Sequence, residues 1–179
     1  MAEASARARS PLQGRARELA AVGAAEVAFL AQVDLRADPA LAPRLPLAPP
    51  LEPNTWTAGG GREALWLGPD QWLVVGPPGS APAIAAELGR ALAGEHHSVV
   101  DTSANRTVVE LSGGGRLDLL AQGCALDLHR RAWWPGRCAQ TLLARVPVLL
   151  QEREGATRVF VRASFAAHLA AWLHAAGAS

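Results

Sequence analysis

The chain has 179 residues, half of them hydrophobic, and its 17 basic and 16 acidic side chains leave a formal net charge of +1. A chain of this length fits one domain, and so large an apolar share fills a core without metal or disulfide staples. The charge balance argues against a nucleic-acid binder, which carries a basic excess, and the apolar content argues against a disordered chain.

Every basic residue other than histidine is Arg, and neither Lys nor Tyr occurs. Schiff-base and phosphate-loop lysines and any tyrosine acid or base are thereby excluded. The abundance of Ala, Arg, Gly and Pro points to a GC-rich, bacterial genome. Cys124 and Cys138 do not make a disulfide framework and form no C-x-x-C pair. No stretch approaches the ~18 consecutive apolar residues that cross a bilayer. The first residues lack the apolar run and cleavage site of a secretory signal, so residues 1–21 are expected to be a flexible polar tail on a cytoplasmic protein.

Folding is expected to begin at Glu26–Arg36, where Val27, Phe29, Ala31, Val33 and Leu35 alternate as in one half-buried strand. Pro43, Pro46, Pro49 and Pro50 exclude a long helix between Asp38 and Pro53 and predict an irregular crossover. Two apolar runs around Gly68-Pro69-Asp70-Gln71 predict a hairpin over Arg62–Gly76. A helix follows, capped by Ser80, with Ile84, Leu88 and Leu92 on one face and Gly94 as its stop.

Short strands are expected over Ser98–Ser103 and Arg106–Leu111, then a helix capped by Ser112 with Leu117, Leu120, Ala121 and Cys124 on its apolar face. Ala125–Gly136 reads as a loop. Thr141–Gln151 and Thr157–Arg162 predict a second hairpin, and Pro147 marks its first strand as an edge or a bulge. The last helix is capped by Ser164 and turns Phe165, Leu169, Trp172 and Ala176 inward. Hairpin followed by helix thus occurs twice. The pattern predicts an α+β protein of two lobes, residues 22–100 and 101–179, each a mostly antiparallel hairpin sheet covered by helices.

Motifs that carry chemistry are sparse. Ser112-Gly113-Gly114-Gly115 leads into a helix whose N–H groups can hold an anion. It lacks the third glycine of a dinucleotide fingerprint and any following Lys, so a strand-to-helix turn is the better reading. Cys124, His129 and Cys138 lack the close C-x₂₋₄-C pairing of structural zinc, and inert buried thiols are the default. His96 and His97 point to opposite faces of a strand, while His168 and His174 match no paired-ligand spacing. No G-x-S-x-G elbow exists. No catalytic or metal-ligating residue is therefore assigned.

Trp133-Trp134 stands apart, because consecutive tryptophans on a loop do not easily share one core. Two arrangements are open. Either the pair anchors a partner, as Trp commonly does, or one ring fills the core while the other lies on the surface. Trp56, Trp66 and Trp72 sit in strand-like segments and are assigned mostly to the core.

The blocks DTSANRTVVELSG, GCALDLH and PGRCAQTLLARVPVLL, preceded by EVAFLAQVDLR, LEPNT and ALWLGPDQWLVV, stand in an order that resembles the gamma subunits of heterotetrameric sarcosine oxidase. The resemblance runs from about Glu26 to the C-terminus. It implies a complex that oxidatively demethylates sarcosine to glycine, with tetrahydrofolate accepting the one-carbon unit. It further implies alpha, beta and delta partner subunits that carry FAD, covalently bound FMN, NAD, tetrahydrofolate and zinc, and a gamma chain that holds none of these. The implied role is non-catalytic: to assemble and stabilise the flavoprotein subunits, with Trp133, Trp134 and Arg137 as interface candidates and the proline-rich crossover ordered by binding. No nucleic acid and no membrane is implied as a partner.

Gamma subunits are also similar in fold to the folate-binding domain of glycine-cleavage aminomethyltransferases. Asp101-Thr102-Ser103, Leu111-Ser112-Gly113 and Pro135-Gly136-Arg137 match blocks of that family, whereas its Asn-Asp pair is Leu126-Asp127 here. Asp127 thus stands where the family has its folate-activating carboxylate, without the Asn neighbour, and is read as a relic capping a turn. The alternative is a stand-alone folate-binding one-carbon transfer or repair protein, which needs Asp127 on a pocket floor. A plain adaptor for an unrelated oxidase differs from the leading reading only in its partner.

Overall fold

Apolar alternation builds ten strands in the computed structural model, which describes residues 8–178. They are β1 (Ala24–Val27), β2 (Ala31–Ala37), β3 (Trp56–Gly59), β4 (Arg62–Gly68), β5 (Gln71–Gly76), β6 (His97–Asp101), β7 (Arg106–Ser112), β8 (Cys138–Leu143), β9 (Val146–Arg153) and β10 (Ala156–Arg162). Helices α1 (Ala16–Ala20), α2 (Ala81–Ala91), α3 (Arg116–Ala121) and α4 (Ala163–Gly177) complete the chain. The strands form two five-stranded sheets, ordered β3-β4-β5-β2-β6 and β1-β7-β10-β9-β8, with antiparallel pairing throughout.

Three apolar layers make the core, two between a sheet and its helix and one between the sheets. Val33, Leu35, Trp72 and Val74 of the first sheet pack on Ile84, Leu88 and Leu92 in and just after α2. Val109, Leu111, Leu150, Val159 and Val161 of the second pack on Ala166, Leu169, Ala170 and Leu173 of α4. Between the sheets, Leu65, Leu67, Leu73 and Val75 meet Val108, Cys138, Leu149 and Phe160. Each fully buried Leu, Val or Phe in these layers contributes roughly 1.5–3 kcal/mol. The architecture is the expected α+β arrangement of two antiparallel sheets flanked by helices.

Several boundaries differ from the sequence reading, each for a local reason. The expected tail includes α1 and buries Leu12 and Leu19 against the α4 core; residues 1–7 lie outside the described residues. The single strand over Glu26–Arg36 is two strands, broken where Phe29 adopts φ +62° and stands 51% exposed. That break sends β1 to the second sheet, opposite β7, and β2 to the first. The expected strand over Thr141–Gln151 is likewise a hairpin of β8 and β9, turned by Ala144 and Arg145 at φ +50° and +67°. Strand β9 is interior rather than an edge, and Pro147 is tolerated because pairing with β10 begins only at Val148.

The crossover packs on the chain's own first sheet, with Leu45 in the α2-side core. It contains a 3-10 turn, Pro39–Arg44, and the Pro50 carbonyl accepts a 2.8 Å hydrogen bond from Trp72 Nε1. Of the three predicted serine caps only Ser80 stands at a helix N-cap, and none makes the side-chain capping hydrogen bond. Ser80 Oγ donates to the Pro77 carbonyl, Ser112 ends β7, and Ser164 lies inside α4. Helix α4 also turns a different stripe inward, for Ala166 and Ala170 are buried while Phe165 is 38% exposed. Trp72 is core; Trp56 and Trp66 are only partly buried.

Candidate partner-binding site

The loop after α3 is shaped by Glu152, a carboxylate 1% exposed near the end of β9. Its Oε1 accepts from Arg116 Nη2 at 2.5 Å, and its Oε2 accepts from Trp133 Nε1 at 2.9 Å and from Thr157 Oγ1 at 2.5 Å. Arg116 Nε in turn donates to Thr157 Oγ1 at 3.2 Å. A buried charge is tolerated only when paired and hydrogen-bonded in this way. The same residue's carbonyl accepts from Gly136 N and from Trp56 Nε1, so Glu152 ties the loop to both sheets. The two sheets also meet through the Thr55–Arg137 bridge and the Cys138 N–H donated to the Asn54 carbonyl.

Trp133 and Trp134 consequently part company. Trp133 is 5% exposed with its N–H held by Glu152, so it lines the cleft but offers little of its ring to the surface. Trp134 is 46% exposed and lies under the Arg137 guanidinium, 4.8 Å from the ring centroid. Arg137 Nη1 approaches Glu52 Oε1 at 3.7 Å. Beside the stacked pair opens a cleft of about 300 Å³, lined in part by Arg116, Arg130, Trp134 and Glu154. Its rim combines a fixed aromatic face with exposed charges of both signs, a combination suited to seating another protein's surface.

The remaining residues singled out by the sequence lie elsewhere. Asp127 is exposed, and its Oδ1 accepts the His129 N–H at 2.9 Å; it caps a turn and does not line the cleft. Ser112–Gly115 is an exposed strand-to-helix turn. Cys138 is buried with its thiol donated to the Thr55 carbonyl at 3.1 Å, and burial pushes its pKa up to about 12. Cys124 is partly exposed, 3.9 Å from Thr141 Oγ1. His97 Nδ1 lies 2.8 Å from the Glu95 carbonyl and His168 Nε2 lies 3.2 Å from the Ala144 carbonyl. Among the described residues, no three His, Cys, Asp or Glu side chains are grouped to hold a metal, and no helix is long and apolar enough to cross a membrane. Asp101-Thr102-Ser103 is structural: Ser103 donates twice to Asp101 Oδ1, which holds that carboxyl below its usual pKa, and Thr102 binds the Gln32 carbonyl.

Comparison with known proteins decides the family. The family model described as the sarcosine oxidase gamma subunit matches residues 22–179. The chain belongs to the sarcosine oxidase gamma subunit family. Sarcosine oxidase subunit gamma of Arthrobacter sp. is 39% identical to it over 185 residues, covering 96% of this chain and 90% of the relative. The corresponding subunit of Corynebacterium sp. strain P-1 is 41% identical over 157 residues, covering 83% and 76%. Within the heterotetrameric sarcosine oxidase from Corynebacterium sp. U-96, solved in complex with pyrrole 2-carboxylate, one chain superposes with a TM-score of 0.87 at 35% identity. That match covers 96% of this chain and 95% of the other. The glycine cleavage system aminomethyltransferase T from Bartonella henselae superposes with a TM-score of 0.67 at 15% identity, over 89% of this chain but 48% of that one. The gamma family therefore shares the fold of part of an aminomethyltransferase, as the sequence blocks implied.

Proposed function

We propose that this chain is the gamma subunit of a bacterial, cytoplasmic heterotetrameric sarcosine oxidase and acts by packing rather than by chemistry. The carrying observation is the end-to-end correspondence with one chain of the solved Corynebacterium heterotetramer. On this reading its partners are alpha, beta and delta subunits, and the FAD, FMN, NAD, tetrahydrofolate and zinc of the complex reside on them. Oxidative demethylation of sarcosine to glycine takes place there, with tetrahydrofolate accepting the one-carbon unit. Trp134 and Arg137 are the contact residues at the cleft. A ring already stacked under a guanidinium loses little freedom on docking, and Trp and Arg are the side chains that most often dominate interfaces. The exposed, turn-capping position of Asp127 disfavours the stand-alone folate enzyme.

The test is co-expression of the tagged chain with the three partner subunits. Wild-type chain should retain a flavin-coloured assembly. Trp134→Ala should weaken retention by roughly thirtyfold, the equivalent of a ~2 kcal/mol hot spot, while the free chain loses much less, because its ring is already 46% exposed and gives up only its stacking on Arg137. A chain that ignores the flavoproteins, or that turns over an N-methyl amine alone, defeats the proposal.

A further inference from the structure

Strands β7 and β10 face each other rung by rung, and the rungs that point between the two sheets differ in charge. At one end Arg158 stands opposite Glu110, with Arg158 Nε donating to Glu110 Oε2 at 2.7 Å. Arg158 also reaches Glu63 of the other sheet, which Gln151 and Arg153 bind as well. The middle rung, Phe160 opposite Val108, is buried apolar core. At the far end Arg162 stands directly opposite Arg106.

Like charges placed opposite each other on a sheet are destabilising. Among the described residues neither guanidinium has a hydrogen-bond or ion-pair partner. Burial and the adjacent Arg162 charge both lower the basicity of Arg106. The Asp34 carboxylate acts in the opposite sense, but it is the weakest of the three influences and forms no ion pair with either guanidinium. The two arginines line a groove of about 140 Å³ with Leu67, Gln140, Pro147 and Leu149. Leu142, paired in register with Pro147, stands 55% exposed beside it. This mouth lies at the opposite end of β9 from Glu152 and Trp134, five residues or roughly 17 Å along the strand.

We propose that the Arg106–Arg162 groove is a second docking surface, which takes an acidic segment of a partner subunit. A partner Asp or Glu carboxylate lies between the guanidiniums, and its apolar neighbour lies on Leu142 and Pro147. Charge complementarity selects this occupant: two facing guanidiniums without an ion-pair partner, Arg106 half-buried and Arg162 exposed, attract an anion to the groove, and the apolar border suits a peptide chain. The inference rests on the gamma-subunit reading but concerns a different surface, so the two can fail separately.

The experiment compares wild-type full-length chain with the Arg106→Gln/Arg162→Gln double variant and with Leu142→Ala, each co-expressed with the partner subunits. The double variant is expected to capture them at least about tenfold less well, and Leu142→Ala to weaken capture as well. The free double variant should melt at the same temperature as wild type or higher, since a repulsion has been removed. Undiminished capture by the double variant overturns this proposal while leaving the gamma-subunit reading intact. A melting temperature that falls together with capture makes the pair structural and also overturns it. If inorganic phosphate at constant ionic strength stabilises wild type but not the double variant, the groove holds a small anion and the docking assignment is wrong. Failure of wild-type chain to capture any partner removes both readings.

Discussion

Replacing Glu152 by Gln keeps the shape of the side chain and removes its charge, and the geometry around the carboxylate sets the cost. Glu152 and Arg116 are 2% and 11% exposed at their side chains, so the pair is buried and poorly screened. Breaking a buried pair from one side costs ~3–5 kcal/mol, because the remaining charge is left without its counter-ion. The amide oxygen can still accept from Trp133 or from Arg116, which recovers roughly 1 kcal/mol, but the amide NH₂ then faces another donor. A net loss of about 3 kcal/mol is expected, equivalent to a fall in Tm of roughly 6–12 °C for a domain of this size. Thr157→Val removes a neutral hydroxyl from the same cluster and should cost less, ~1–2 kcal/mol. Arg44→Ala, at an ion pair with side chains 45% and 42% exposed, should cost under ~1 kcal/mol. Thermal melts followed by near-ultraviolet circular dichroism read all three. If Glu152→Gln melts within about 2 °C of wild type, burial and pairing at this site do not act as argued, and the fixed position of the loop needs another cause.

Two further predictions concern the core. A Cβ at Gly123 would lie 2.5 Å from Trp172 Cζ2 and 3.2 Å from the Ala144 nitrogen, so Gly123→Ala should destabilise by ~1–3 kcal/mol through overpacking; adding Trp172→Phe should restore part of the loss, and equal melts of the single and double variants would refute the clash. Cys138 has its pKa raised by burial from 9.0 to about 12, so the unfolded chain gives up this proton first. Its contribution is therefore complete below about pH 9 and declines as pH rises towards 12, by ~1.4 kcal/mol per pH unit. Wild type should show this slope relative to Cys138→Ala, and alkylation of the native chain should modify Cys124 well before Cys138; early labelling of Cys138 would contradict its burial.

Much of the fold was legible because its signals are local. The Gly68–Gln71 turn carries Pro and Gly, and α2 announces itself through Ile84, Leu88 and Leu92, so both elements stand where the periodicity placed them. The misread elements are those whose turns carry no turn chemistry. Ala144 and Arg145 adopt positive φ without a Gly or Asn, and alternation runs unbroken across Phe29, so β8–β9 and β1–β2 each read as one strand. Helix α4 is apolar almost all round its N-terminal half, which left its inward face undetermined until β10 and α1 were placed against it. At the candidate site the Trp133-Trp134 pair was conspicuous by composition alone. Which ring is buried depends on Glu152, eighteen residues beyond Trp134 on another strand, and a glutamate in the run Leu149-Leu150-Gln151-Glu152-Arg153 carries no local sign of being buried. The Arg106–Arg162 rung was equally invisible, since only the register of β7 with β10 brings two arginines separated by most of a third of the chain into opposition.

The β7–β10 ladder also indicates where selection for stability alone stops. Glu110 opposite Arg158 and Val108 opposite Phe160 are rungs that a free-standing sheet favours, one by charge and one by burial. Arg106 opposite Arg162 is a rung that it disfavours, and a single Gln at either position would relieve it. Local violations of this kind are expected where a surface answers to something beyond folding. The violation sits at the one end of the inter-sheet face that Glu63, Arg153 and Arg158 do not close. A chain whose fold is completed by neighbours can keep such a rung, because the missing countercharge arrives with the partner, and the cost is borne only while the chain is alone.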